Sequence, residues 1–70
     1  MADFDVWFEG GRYRGLPLMS YYGYSKAGVI SKVKMDANKE YAYMFSINYK
    51  GSGRSVGCWK KKGTRWYREW

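Results

Sequence analysis

The sequence predicts an α+β fold: one helix packed on a three- to five-stranded antiparallel sheet, in the order β(β)-α-β-β-β. Three observations predict it. Tyr41, Tyr43, Phe45, Ile47 and Tyr49 alternate with Ala42, Met44, Ser46 and Asn48, the period of a strand with one large apolar face. Ahead of that run, Ala27, Ile30, Val33 and Ala37 recur at three- and four-residue spacing, the stripe of an amphipathic helix. Behind it, Lys50-Gly51-Ser52-Gly53 and Lys62-Gly63-Thr64 cut the last third of the chain into short strands, because glycine reaches the positive φ that tight turns need.

The elements follow in order. Phe4, Val6 and Phe8 alternate with Asp3, Asp5, Trp7 and Glu9, a strand with one buried face. Gly10-Gly11 ends it, and Arg12-Tyr13-Arg14 is read as a short returning strand stopped by Gly15 and Pro17. Residues 18–24 show no period and are read as a connection. Ser25 is the expected N-cap of the helix, Val29 widens its stripe, and Asn38 is its expected left-handed closing residue. Gly28 costs this helix roughly 1 kcal/mol relative to alanine, so the helix depends on packing against a sheet. Strands then run over 41–49, 55–61 and 65–70. The last of these places Trp66, Arg68 and Trp70 on one face and Arg65, Tyr67 and Glu69 on the other.

Seventy residues make one domain, and so small a domain buries only about 60% of the surface its unfolded chain exposes. Cys58 is the sole cysteine and there is no histidine, so neither an internal disulfide nor a zinc cage is expected. Four Trp, eight Tyr and three Phe supply the bulk instead, at roughly 150–250 Å² each. No apolar run approaches the ~20 residues of a membrane span, and the acidic start Met1-Ala2-Asp3-Phe4-Asp5 does not resemble a secretory signal. A cytoplasmic protein is expected.

No catalytic residue is expected. Histidine is missing as a general base, and no Cys/His or Ser/His arrangement can be built. Cys58, between Gly57 and Trp59, is read as a buried, inert thiol. Asp3 and Asp5 share a strand face and are read as a solvated acidic stripe. No metal, cofactor or small-molecule substrate is expected.

Charge is the strongest functional signal. Residues 1–49 balance Arg12, Arg14, Lys26, Lys32, Lys34 and Lys39 against Asp3, Asp5, Glu9, Asp36 and Glu40, while residues 50–70 set Lys50, Arg54, Lys60, Lys61, Lys62, Arg65 and Arg68 against Glu69 alone. Most of the net +7 therefore sits in the last third, which points to a polyanionic partner. Lys60, Lys61, Lys62 and Arg65 are the expected phosphate or carboxylate contacts. Arg54, Arg68 and Lys50 extend the patch, and Trp59, Trp66 and Tyr67 are candidate stacking or anchor residues. Edge-strand lysines also guard against aggregation and aromatic residues on short strands also fill cores, so each of these residues has a purely structural reading beside the functional one.

The strand, Ser-capped helix and hairpin with Trp59-Lys60-Lys61-Lys62-Gly63-Thr64-Arg65-Trp66 resemble tiny phage-encoded host-takeover proteins, among them some anti-CRISPR proteins, which carry a Trp-x-Lys-x-x-Gly-x-Arg-Trp-like segment. The spacing departs from that pattern, since Lys60 follows Trp59 directly and Lys61 is the matched lysine. The resemblance spans the C-terminal two-thirds and implies an inhibitor that occludes the nucleic-acid-binding site of a host complex. Three readings remain open: nucleic acid or the acidic groove of a host complex as partner, a protein–protein inhibitor without nucleic acid, and an oligomer formed by pairing strand edges.

Overall fold

The computed structural model describes residues 1–15 and 18–70. Its elements are β1 (Ala2–Glu9), β2 (Leu18–Tyr24), α1 (Lys26–Lys39), β3 (Met44–Tyr49), β4 (Ser55–Lys62) and β5 (Arg65–Arg68). The five strands form one antiparallel sheet in the order β2-β1-β3-β4-β5, the predicted α+β class.

Two of the predicted elements change. Residues 18–24 are a strand, paired to β1 with Phe4 opposite Tyr21 and Trp7 opposite Leu18. The sequence hides this because an edge strand buries little: only Tyr21 is buried. The returning strand expected at Arg12-Tyr13-Arg14 is instead a loop. It is tied to the helix end by the Arg12 amide donating to Glu40 O at 2.7 Å, and to the core by Tyr13 stacked on Phe8 at 4.3 Å. Gly11, at φ 60°, lies so close under the Glu40 and Tyr41 backbone that a side chain has no room there. Pro17, expected to stop that strand, lies outside the described residues.

The helix starts as expected: Ser25 Oγ accepts from the Gly28 amide at 3.0 Å, satisfying one of the orphan donors of the first turn. It buries Val29, Val33 and Ala37; Ile30 is half-buried and Ala27 exposed. Its closure differs from the expectation. The left-handed residue is Tyr41, at φ 59°, three positions beyond Asn38. The Ala42 amide donates to Ala37 O at 2.9 Å and the Tyr41 amide to Asn38 O at 3.2 Å, the paired bonds of a Schellman closure with an apolar contact between its ends. This exit occupies residues 40–42, so β3 begins only at Met44. Tyr41 and Tyr43, expected on the core face, are exposed instead.

The helix packs on β2, β1 and β3. Between them lie Phe4, Val6, Phe8, Phe45 and Ile47, all fully buried. Beyond the reach of the helix, the same sheet face is sealed by rings: Trp59 stacks on Phe45 at 5.2 Å and Trp66 meets it edge-on at 4.9 Å. The opposite sheet face carries Asp5, Trp7, Ser46, Cys58, Lys60 and Tyr67 and, among the described residues, has no helix over it.

Candidate functional site: a basic pole at the β4–β5 turn

Register places eight of the ten candidate residues. Lys60 pairs with Tyr67 and Lys62 with Arg65, while Lys61 pairs with Trp66 and Trp59 with Arg68. Directly opposed residues share a face, so Lys60, Lys62, Arg65 and Tyr67 project from the open face. Lys61, Trp66, Arg68 and Trp59 project toward the helix side. The hairpin is thus cationic on both faces of its tip rather than on one.

Several candidates are committed elsewhere. Trp59 is 4% exposed and is a core residue, not a stacking platform. Trp66 is half-buried, its Nε1 donating to Asn38 Oδ1 at 3.0 Å. Arg68 folds over the Trp59 ring and donates to Val56 O at 2.6 Å. Lys50 and Arg54 lie at the opposite end of the sheet, where the Lys50 amide donates to Asp3 O. There Lys50 Nζ is 3.2 Å from Asp5, which also accepts from Ser20 Oγ at 2.8 Å. That Ser20 bond, opposed by burial and helped by Lys50, holds the Asp5 carboxyl below its ordinary pKa. Asp5 in turn raises Lys50. These two cations therefore do not extend the patch. Of the three proposed rings only Tyr67, half exposed, is free to meet a partner.

What the fold gathers is a pole. β1 ends, β3 begins and β4 turns back at one end of the sheet. The helix C-terminus and the loop after β1 close over that same end through the Arg12–Glu40 bond. Lys60, Lys61, Lys62 and Arg65 lie at that end, with Arg12 held to the helix terminus and Lys39 in the last helical turn, against Glu9, Glu40 and Glu69. Sequence reading missed Lys39 and Arg12, because they lie in the half of the chain whose charges balance. Only the turn geometry at Gly11 and Tyr41 carries them to the hairpin. Lys39 is also placed where a cation offsets the negative end of the helix dipole.

The carboxylates neutralise this pole weakly. Lys60 approaches Glu69 at 3.7 Å with both side chains about half exposed, a pairing of ~0–1 kcal/mol. Lys61 Nζ donates to a neutral group, Asn38 Oδ1, at 2.8 Å and lies over the Trp66 ring. Among the described residues Lys62 and Arg65 have no carboxylate partner, although they face each other across the last pair of the hairpin. Like charges so placed are destabilising.

Beside the pole, Lys60, Lys61, Lys62, Tyr67 and Glu69 line a hollow at the hairpin. Cys58, close by, is 4% exposed. Burial pushes its thiol pKa up, with Glu69 adding to the push and Lys60 opposing it. Among the described residues no three His, Cys, Asp or Glu side chains are grouped to hold a metal, and no helix is long and apolar enough to cross a membrane. Comparison with protein families, curated proteins and solved structures returns no match, so the functional reading rests on the residues themselves.

Proposed function

We propose that this chain is a small non-enzymatic binding protein whose basic pole docks on the phosphate backbone of a nucleic acid. The observation that carries the reading is the like-charge pair Lys62–Arg65. Folding gains nothing from two cations facing each other without a carboxylate, whereas a phosphate placed between them turns the repulsion into two attractions. Cations on both faces of a two-stranded ribbon suit a groove walled by phosphates on either side, and the DNA major groove is wide enough to admit such a ribbon. Tyr67, half exposed beside Lys60, adds a ring for contact with sugar or base. A chain without histidine, whose one thiol is buried and protonated, is suited to binding rather than turnover.

The test is a titration of labelled oligonucleotides followed by anisotropy over a range of salt. Each phosphate neutralised contributes a slope of about −0.9 in log affinity against log salt on duplex DNA. Lys62→Ala and Arg65→Ala should each flatten the slope by about one, while Lys50→Ala and Arg54→Ala, at the far end, should leave it unchanged. No oligonucleotide affinity, or a slope insensitive to Lys62 and Arg65, refutes the proposal. Capture of a protein from host lysate that survives nuclease, with no affinity for oligonucleotides, reassigns the pole to the inhibitor class that the hairpin motif resembles.

A further inference from the structure

The two edges of the sheet are built differently. β5, one edge, carries Arg65 and Arg68, and charged side chains on an edge discourage a further strand from adding. β2, the other edge, is Leu18-Met19-Ser20-Tyr21-Tyr22-Gly23-Tyr24. It lies within residues 15–25, the longest uncharged stretch of a chain that is 27% charged. Its outer side chains are large and apolar: Leu18 is 55% exposed, Met19 42% and Tyr22 62%. Among the described residues no strand pairs with its outer side. An edge of unpaired amides and carbonyls with apolar side chains accepts an extended strand.

We infer that β2 pairs with β2 of a second copy of this chain, antiparallel about a two-fold axis at Ser20. The choice of a second copy rests on charge. Two chains of net +7 repel over most of their surfaces, and of the two edge strands β2 alone brings no cation of its own to the seam. Centring the axis on Ser20 sets Leu18 opposite Tyr22 of the other copy on the open face. It sets Met19 opposite Tyr21 on the helix side. Every cross-strand pair flanking the central Ser20–Ser20 pair is then apolar or aromatic, the kind that stabilises a sheet. Lys50 is the cation nearest the axis, 3.3 Å from Ser20 Oγ, and it is already paired with Asp5. The product is a continuous ten-stranded sheet with both helices on one side, since the axis runs perpendicular to the sheet. The two basic poles then point in opposite directions. Beyond Tyr22, the bulge at Gly23, whose amide donates to Asp3 Oδ1 at 2.9 Å, limits the seam to residues 18–22.

The experiment is light scattering after size exclusion over a concentration series, at elevated salt to suppress repulsion between poles. The 8.3 kDa chain should approach twice its mass as concentration rises. The double variant Leu18→Lys with Tyr22→Lys, which replaces two exposed side chains, should remain monomeric with an unchanged circular dichroism spectrum. A Ser20→Cys variant treated with a short thiol cross-linker should give a covalent dimer, whereas a Met35→Cys control, exposed on the helix, should not. A wild-type chain that stays monomeric throughout overturns the inference and leaves β2 open to a strand of another protein. Dimerisation undiminished by the lysine pair, or cross-linking equal at positions 20 and 35, overturns it equally.

Discussion

Replacing Asn38 with alanine tests how the basic hairpin is held to the rest of the molecule. Asn38 Oδ1 accepts from Lys61 Nζ at 2.8 Å and from Trp66 Nε1 at 3.0 Å, and the helix otherwise packs on β1, β2 and β3. Each such bond is worth about 0.5–1.5 kcal/mol net. Asn38 is exposed, so water replaces both bonds when the side chain is cut and no buried group is stranded. The low end of the range applies, giving about 1 kcal/mol for the pair. In a domain of this size that lowers the melting temperature by about 4–8 °C. Lys34→Ala, one helical turn earlier on the same flank, is the control and should change stability by less than about 0.5 kcal/mol. Urea melts of the two variants, with a double-mutant cycle between Asn38→Ala and Trp66→Phe, separate the tether from lost ring area. A coupling of about 0.5–1 kcal/mol is expected. If Asn38→Ala matches Lys34→Ala, or the cycle is additive, the tether has no energetic content and the hairpin is held by its rings alone.

Two further outcomes follow from protonation. Tyr21 is buried, and its hydroxyl donates to Asp36 Oδ2 at 2.6 Å; burial first, then Asp36, raise its pKa above the ordinary tyrosine value. Above about pH 10 the unfolded chain therefore binds fewer protons at this site than the native one, and stability falls as pH rises, by at most about 1.4 kcal/mol per unit. Tyr21→Phe should show a shallower alkaline loss in urea midpoints measured across that range, and an equal loss would remove Tyr21 as its source. Cys58, buried with a raised pKa, should react with a disulfide reagent at least about a hundredfold more slowly in the native chain than in denaturant, because attack waits on opening. Comparable rates in the two states would show that the strand end over Cys58 opens freely.

The sequence was most legible where one period dominates. Phe4, Val6 and Phe8, the Ser25 cap, and the alternation at Phe45 and Ile47 agree with the structure; of the expected helix stripe Val33 and Ala37 are buried with Val29, while Ile30 is half-buried and Ala27 exposed. β2 was missed because a strand at the sheet edge with one buried residue leaves no alternation to read. The helix ends at Lys39, next to the expected Asn38, but its left-handed residue was missed because Tyr41 takes the conformation that glycine or asparagine usually signals. The apolar Ala37–Ala42 contact that closes the turn is visible only in three dimensions. The site was half legible. Charge skew found the hairpin, but alternation could not show that Trp59 faces the core, and the patch was extended to Lys50 and Arg54 although β4 separates them from the hairpin tip. Arg12 and Lys39 come to the same end of the molecule because the loop after β1 is tied to the helix terminus at Glu40.

Most strand partners in this sheet are close along the chain: β1 with β2, β3 with β4, and β4 with β5. The exception is β1 beside β3, which brings residues 4–9 against 44–49 across the whole helix. The chain can therefore zip a β1–β2 hairpin and a β3–β4–β5 meander from local turns, on microsecond timescales. It then has one distant seam left to close, with the entropy of that loop to overcome. The rate-limiting event belongs to that seam. Trimming Val6 or Ile47, which oppose each other there, should slow refolding more than trimming Trp66 does, as the latter acts mainly on unfolding.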